Sequence, residues 1–259
     1  MNTILVHLPA VLLVMLRIGG LMVFAPVIGS RVVPLRLRIA LTVVLGISMY
    51  PVLLGIGAVS TEGLDLAPGT FLPLAVREVF IGMVIGLVAS LPLVALQMGG
   101  LLMGQQMGLG FATLYDPAMD DQGDVLGRLF FFLALASFLL VNGHEAVVTA
   151  VLRSFDHVPT GTFTVDTGVV GLLSGMLLSA MEVSLRVALP VIAIIFLMSI
   201  AMGFVSRTVP QFNILSLGFP LRILVGFSVM IAGLVVIETV MMDAIDTTMN
   251  GISAWIETG

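Results

Sequence analysis

Six stretches of this chain are long and apolar enough to cross a lipid bilayer, and that governs what it can fold into. They run roughly over residues 4–24, 39–59, 79–103, 125–141, 168–205 and 214–242. A membrane-spanning helix needs about 20 mainly apolar residues, and it satisfies its own backbone N–H and C=O groups where no water can. The supply of charge points the same way. Of the 259 residues, 59% are hydrophobic and 10% charged, and the mean hydropathy is +1.21. An ordinary soluble domain carries roughly 45–50% apolar and about 25% charged residues. So few charges cannot cover a water-facing surface of this size, which excludes a soluble enzyme. The expected fold is an all-α, polytopic integral membrane protein: about six long hydrophobic helices with kinks, and no soluble domain.

The fifth stretch is longer than one crossing requires. At about 1.5 Å per residue it overruns the ~30 Å hydrocarbon core, so it is long and bent, or broken, and Pro190 is the kink site. The N-terminus reads as a retained first helix. Met1-Asn2-Thr3 has no basic region, Arg17 interrupts the apolar run, and no Ala-x-Ala pattern follows. Two further segments are amphipathic. Over residues 144–156, His144, Val147, Val148, Val151, Leu152 and Phe155 share one helical face, opposite Glu145, Thr149, Arg153 and Asp156. In the tail, residues 243–257, Ile245, Met249, Ile252 and Ile256 repeat the pattern beside Trp255, as suits a helix lying at an interface or packing on a partner.

Charge orients the chain. All ten basic residues are arginine. The connection at residues 26–38 holds Arg31, Arg36 and Arg38 and no acid; residues 104–124 hold Asp116, Asp120, Asp121 and Asp124 and no base. Arginine excess places the first connection in the cytoplasm and the N-terminus outside. The short connection at 206–213, with Arg207, is then cytoplasmic too. A net charge of −5 leaves no basic patch for phosphates, so nucleic acid is not an expected partner. Cysteine is absent, which removes disulfides, thiolate nucleophiles and iron–sulfur clusters. His7, His144 and His157 have no metal-ligand spacing, and the aspartates of the 104–124 loop do not fit a calcium loop. No cofactor and no metal are expected.

Ionisable residues inside apolar stretches are candidates for buried charge: Arg17, Glu182, Arg186 and Arg222. Glu182 and Arg186 are four apart on one helical face and can pair. A glutamate membrane protease would need a second adjacent glutamate, and residue 181 is Met. Arg17 and Arg222 either snorkel or find a carboxylate such as Glu238. Gly82 and Gly86, Gly100 and Gly104, and Gly171 and Gly175 are each four apart, a spacing that lets helix backbones approach closely, within the chain or against other subunits. The 17 methionines add soft contacts.

The least ordinary part is residues 104–124. Glycines at 104, 108, 110 and 123 and Pro117 prevent a continuous helix, yet Met107, Leu109, Phe111, Leu114 and Tyr115 are too apolar for a simple exposed turn. An irregular apolar segment between membrane helices is buried in protein or lines a cavity. The segment reads as re-entrant or pore-lining, with a hydrophobic loop at the interface as the plainer alternative.

Within it, residues 106–117 read Gln-Met-Gly-Leu-Gly-Phe-Ala-Thr-Leu-Tyr-Asp-Pro. Three other stretches accompany it in order: Arg17-Ile-Gly-Gly20 with Pro26-Val-Ile-Gly29, Val33-Pro34 and Arg38; Asn142-Gly143-His144; and Pro210-Gln-Phe-Asn213 with Leu217-Gly-Phe-Pro-Leu221. Together they make the chain resemble the FliR/SctT family of type III secretion export-gate subunits, over about residues 15 to 226. The absence of lysine and the acidic run at 120–124 depart from that pattern.

The resemblance implies a non-catalytic subunit of the flagellar export gate, in the basal body at the bacterial inner membrane. Its implied partners are FliP-like and FliQ-like gate subunits, an FlhB-like subunit, unfolded export substrates in transit, and membrane lipid. It also implies a FliP-like part over residues 1–165, a FliQ-like hairpin over 166–242 and an amphipathic tail over 243–259. The hairpin tip would carry Arg207, Pro210 and Gln211. The central loop would plug the closed gate through Met107, Gly108, Gly110, Phe111, Ala112, Tyr115, Asp116 and Pro117. The homologous gate subunit of a virulence injectisome is the nearest alternative. A small-solute transporter is disfavoured because the 104–124 loop has no counterpart in the other half, and an intramembrane enzyme because no His, Ser or acidic set converges.

Overall fold

The computed structural model describes residues 2–26, 28–29, 33–59, 64, 66–109, 125–161, 167–208 and 214–258. Within them the chain forms helices and no strand: α1 (Asn2–Phe24), α2 (Leu35–Gly55), α3 (Pro68–Met107), α4 (Val125–Leu140), α5 (Gly143–His157), α6 (Thr167–Thr208), α7 (Ile214–Ala232) and α8 (Leu234–Thr258). Four of them, α1, α2, α3 and α6, are each long and apolar enough to cross a membrane. The broken pairs α4–α5 and α7–α8 raise the number to six if each pair is one span. The chain is thus an all-α polytopic membrane protein.

Three features refine the sequence expectation. α3 starts at Pro68, well before the apolar stretch at 79–103, and reaches 40 residues. The charged Arg77 and Glu78 interrupt the apolar run without interrupting the helix, because the rest of the chain supplies their partners. α6 is one helix of 42 residues containing Pro190, so proline at this point does not break it. The last apolar stretch divides at Gly233, between α7 and α8, and the amphipathic tail is the continuation of α8.

Where helices do end, the backbone shows why. Gly57 and Gly108 adopt φ values of 76° and 83°. At Gly108 the amide donates to the Gln105 carbonyl and the Leu109 amide to the Gly104 carbonyl, both at 3.0 Å. That pair of bonds is the Schellman cap, which needs a left-handed residue. Asn142, the sole non-glycine with positive φ among the described residues (φ 55°), separates α4 from α5.

Contacts divide the chain into two compact units. One holds Met1–Leu91, Phe138–Leu177 and Ile245–Gly259. In it α1 lies against the first half of α3 at glycine contacts: a Cβ at Gly20 would meet the Val79 carbonyl, and one at Gly82 the Arg17 carbonyl. α5 buries Val147, Ala150, Val151, Ser154 and Phe155, while His144, assigned to that face from spacing, is exposed. The end of α8 buries Ile245, Ile252, Trp255 and Ile256, and Gly251 sits against Met176 of α6. The tail's apolar stripe is therefore covered by its own chain.

The other unit holds Pro92–Ser137 and Leu178–Ala244. Here the second half of α3 meets α4, with Gly100 against Leu126 and Gly127, and meets α6, with Gly99 against Ser184 and Val187. α6 is otherwise bare: 22% of its most apolar stretch is buried, against 67% for α3. Its hydroxyls turn inward on the helix itself. Ser174, Ser184, Ser199, Ser206 and Thr208 each donate to a carbonyl three or four residues back.

The glycine pairs thus separate by role. Gly82, Gly86 and Gly100 are filled by neighbouring backbone, whereas Gly171 and Gly175 meet nothing within 4 Å. Gly82→Ala is expected to cost about 1–3 kcal/mol through overpacking. Gly171→Ala should be neutral or stabilising by up to ~1 kcal/mol through helix propensity. Thermal melting of the two variants in detergent, each against the parent, measures the difference.

Candidate functional site

Arg17 comes from the middle of α1 and is fully buried, as is Glu78 of α3. Arg17 Nε donates to Glu78 Oε2 at 2.6 Å. Its Nη1 donates to Ser154 Oγ of α5 at 3.1 Å and its Nη2 to the Val158 carbonyl at 3.0 Å. The guanidinium carbon stands 3.9 Å from the centre of the Phe155 ring, a cation–π contact. The second carboxylate oxygen of Glu78 accepts from the Gly161 amide at 2.9 Å, and the Gly161 carbonyl accepts from Arg77 Nη1 at 3.0 Å. One charge pair thereby ties α1 to α3, to α5 and to the turn after α5, with Gly161 in the left-handed region at φ 83°. A buried pair holds only when its remaining donors and acceptors are also satisfied. Here Ser154, Val158, Gly161 and Phe155 meet that condition.

The other candidate charges lie elsewhere. Glu182 and Arg186 are both exposed on α6 within this chain. Among the described residues, the ion pair is Arg17–Glu78; Glu182 and Arg186 do not bridge each other. Arg222 of α7 is half-buried and donates from Nη2 to Ser199 Oγ of α6 at 3.1 Å, so a hydroxyl takes the place suggested for Glu238, which is exposed. Arg207 is exposed in the last turn of α6, where a cation complements the negative end of the helix dipole. Pro210 and Gln211 lie outside the described residues.

Of the loop candidates, Met107 and Gly108 are described and Gly110, Phe111, Ala112, Tyr115, Asp116 and Pro117 are not. Met107 is fully buried at the end of α3 and fills the space beside Gly226 of α7, where an added Cβ would come within 2.6 Å of its Cγ. Gly108 closes the helix with the cap described above. The start of the 104–124 segment is therefore anchored by packing as well as by backbone bonds.

No three His, Cys, Asp or Glu residues cluster among the described residues. Glu78 and Ser154 were not named from the sequence, and Phe155 only as part of the apolar face of residues 144–156; Glu78 is the partner that Arg17 needed. The signal was there: Glu78 adjoins a long apolar run, where a carboxylate demands a cation. The choice between partners required the fold.

Glu78→Ala is expected to destabilise the protein by about 3–5 kcal/mol by leaving a buried guanidinium unpaired. Arg17→Met combined with Glu78→Leu should lose less than Glu78→Ala alone. A double-mutant cycle on melting temperature and membrane yield checks it; strictly additive losses would show that the two charges are not coupled.

Comparison with known proteins places these features. The family model described as "Bacterial export proteins, family 1" matches residues 8–248. Flagellar biosynthetic protein FliR of Bacillus subtilis (strain 168) is 29% identical, over 96% of this chain and 95% of the relative. FliR of Escherichia coli (strain K12) is 31% identical over 84% of this chain and 81% of the relative. FliR of Pectobacterium carotovorum subsp. carotovorum is 30% identical over 81% and 78%. With a match that runs from the first third of α1 into α8, and relatives aligned over most of both chains, the chain belongs to the bacterial export proteins, family 1, the family of flagellar biosynthetic protein FliR.

Proposed function

We propose that this chain is a non-catalytic subunit of the flagellar type III protein export gate in the bacterial inner membrane. It would assemble with FliP-like and FliQ-like subunits, with an FlhB-like subunit beside them, and let unfolded flagellar proteins pass. Besides family membership, the observation that carries this reading is the surface of α6. A 42-residue helix is about 63 Å long, roughly twice the hydrocarbon thickness. Leu178, Met181, Leu189, Phe196, Leu197 and Phe204 are all more than half exposed along it. Lipid covers one bilayer's length of such a helix; the remainder needs protein. A subunit whose apolar surface outruns the membrane is built to be covered by neighbours, and a multi-subunit gate supplies them.

The flagellar role is supported by the names of the matched relatives. The 104–124 loop, with Phe111 and Tyr115 as its bulky elements, suits a deformable seal because it is apolar and rich in glycine. The residues from Met107 to Pro117 would form the plug.

Deleting the gene should abolish swimming and filament export, and affinity purification of the tagged chain should recover FliP- and FliQ-like proteins. Normal motility in the deletion strain would overturn the proposal. Removing residues 109–116 should leave assembly intact and make the gate leak ions or small molecules, read as loss of membrane potential in cells expressing the complex. An assembled, tight gate would overturn the plug assignment.

A further inference from the structure

Helix α6 carries an exposed row with the spacing of a coiled-coil seam. Leu178, Glu182, Leu185, Leu189 and Phe196 follow one another at steps of four, three, four and seven residues. At about 100° per residue they fall within about 60° of arc. All five are exposed, Leu178 at 67% and Phe196 at 64%. At Gly203, seven residues on, an added Cβ would meet nothing within 4 Å. The residues that α6 buries here, Val187, Ala188, Val191 and Ile195, lie round on the other side. The row belongs wholly to the second unit. A repeat of three and four is what one helix presents to another along its length, whereas lipid chains make no demand for it.

One member of the row is charged. Glu182 stands between Leu178 and Leu185, and the only other charge between Thr167 and Ser206 is Arg186. Among the described residues the Glu182 carboxylate has no ion-pair or hydrogen-bond partner. Arg186, one turn on, stands at the edge of the row, where it lines a groove with Pro190, Val229 and Val236. A carboxylate in an apolar seam calls for a cation from the other side. A lone polar residue at such a position also fixes the register of the two helices.

We propose that this row seats one helix of a different subunit, apolar with the same repeat and carrying a lysine or arginine opposite Glu182. A second copy of this chain does not fit. Copies inserted in one membrane share an orientation, so their α6 helices run parallel and set Glu182 against Glu182 at the same height, two like charges in an apolar seam. A base on a different helix removes that conflict and pins the pairing to one register. The inference rests on the chain being one subunit of an assembly; it adds which face of α6 is used and what the neighbour must carry.

The test uses the full chain expressed with the other flagellar export genes of its source. The photoreactive amino acid benzoylphenylalanine replaces Leu178, Leu185, Leu189 or Phe196 in turn, and cross-linked peptides are mapped by mass spectrometry. The expected result is that all four positions label one helix of one other subunit, in order along it, with a lysine or arginine within a turn of the point opposite residue 182. E182Q should then lower the amount of that subunit recovered with the tagged chain about 30-fold. E182K should lose it as well, and changing the partner's base to glutamate should restore it in the E182K background. Labelling of lipid alone, of a second copy of this chain, or of a helix with no base at that point overturns the proposal, as does a charge swap that fails to restore the complex. Recovery by E182Q/R186Q equal to that of the parent also overturns it, and points to a pair closed within α6. The cross-link map decides the matter even if a charge variant misfolds. If the tagged chain still recovers FliP- and FliQ-like proteins while these positions label lipid alone, this inference falls and the gate reading stands. A helix from outside the export apparatus, with a successful swap, does the reverse.

Discussion

A guanidinium fully buried in an apolar chain can persist only if every neighbour cooperates, and Arg17 sets that demand at the centre of the first unit. Glu78 neutralises it, Ser154 and the Val158 carbonyl take two of its remaining N–H groups, and Phe155 covers its face. The elements involved are far apart in sequence, so the interaction is a constraint on topology as much as a source of stability. Glycines make it reachable. Without Gly20 and Gly82 the backbones of α1 and α3 could not approach to the distance at which Arg17 and Glu78 meet. A directional ionic contact and a close van der Waals seam therefore depend on each other: the seam sets the distance, and the pair selects which helices form it.

The two long helices express opposite solutions to the same problem. α3 and α6 are both about twice the length a bilayer needs, and both are mainly apolar. α3 hides most of its apolar surface in its own chain; α6 leaves most of it outside. A chain poor in charge has these two options for a helix that overshoots the membrane: fold around it, or lend it to a neighbour. A polypeptide that uses both is half a self-contained membrane protein and half an interface.

Much of this was legible in the amino-acid sequence, and the limits are physical. That the chain is all-α and polytopic, with up to six spans, follows from run lengths, and the family from four ordered motifs. Helix boundaries were less legible. Hydropathy reports where lipid or protein must cover a segment, not where hydrogen bonding stops, so α3 extends through Arg77 and Glu78 and α6 through Pro190. Gly233, by contrast, divides a run that hydropathy treats as continuous. Arg17 was recognisable as a buried charge because no apolar helix tolerates a lone one. Its partner was not, because Glu78 is 61 residues away and only the α1–α3 seam brings the two together. The tail illustrates the remaining gap. Its apolar stripe was plain, but whether lipid, a partner or its own chain would cover it depended on Gly251 meeting Met176.

The hydroxyls of α6 have a consequence for how that surface is covered. Because Ser174, Ser184, Ser199, Ser206 and Thr208 spend their protons on their own helix, they offer no donor to whatever lies against them, and Ser199 accepts from Arg222 of the same chain. Contact of another subunit with this surface then rests mainly on dispersion, which is broad and nearly indifferent to small changes of register. Helices of a neighbouring subunit can slide or rotate past it by a fraction of a turn without breaking the bonds these hydroxyls make. Any preferred seating must come from the few charged marks along its length: Glu182, Arg186 and Arg207. Such a surface behaves less like a lock than like a greased bearing with a few stops.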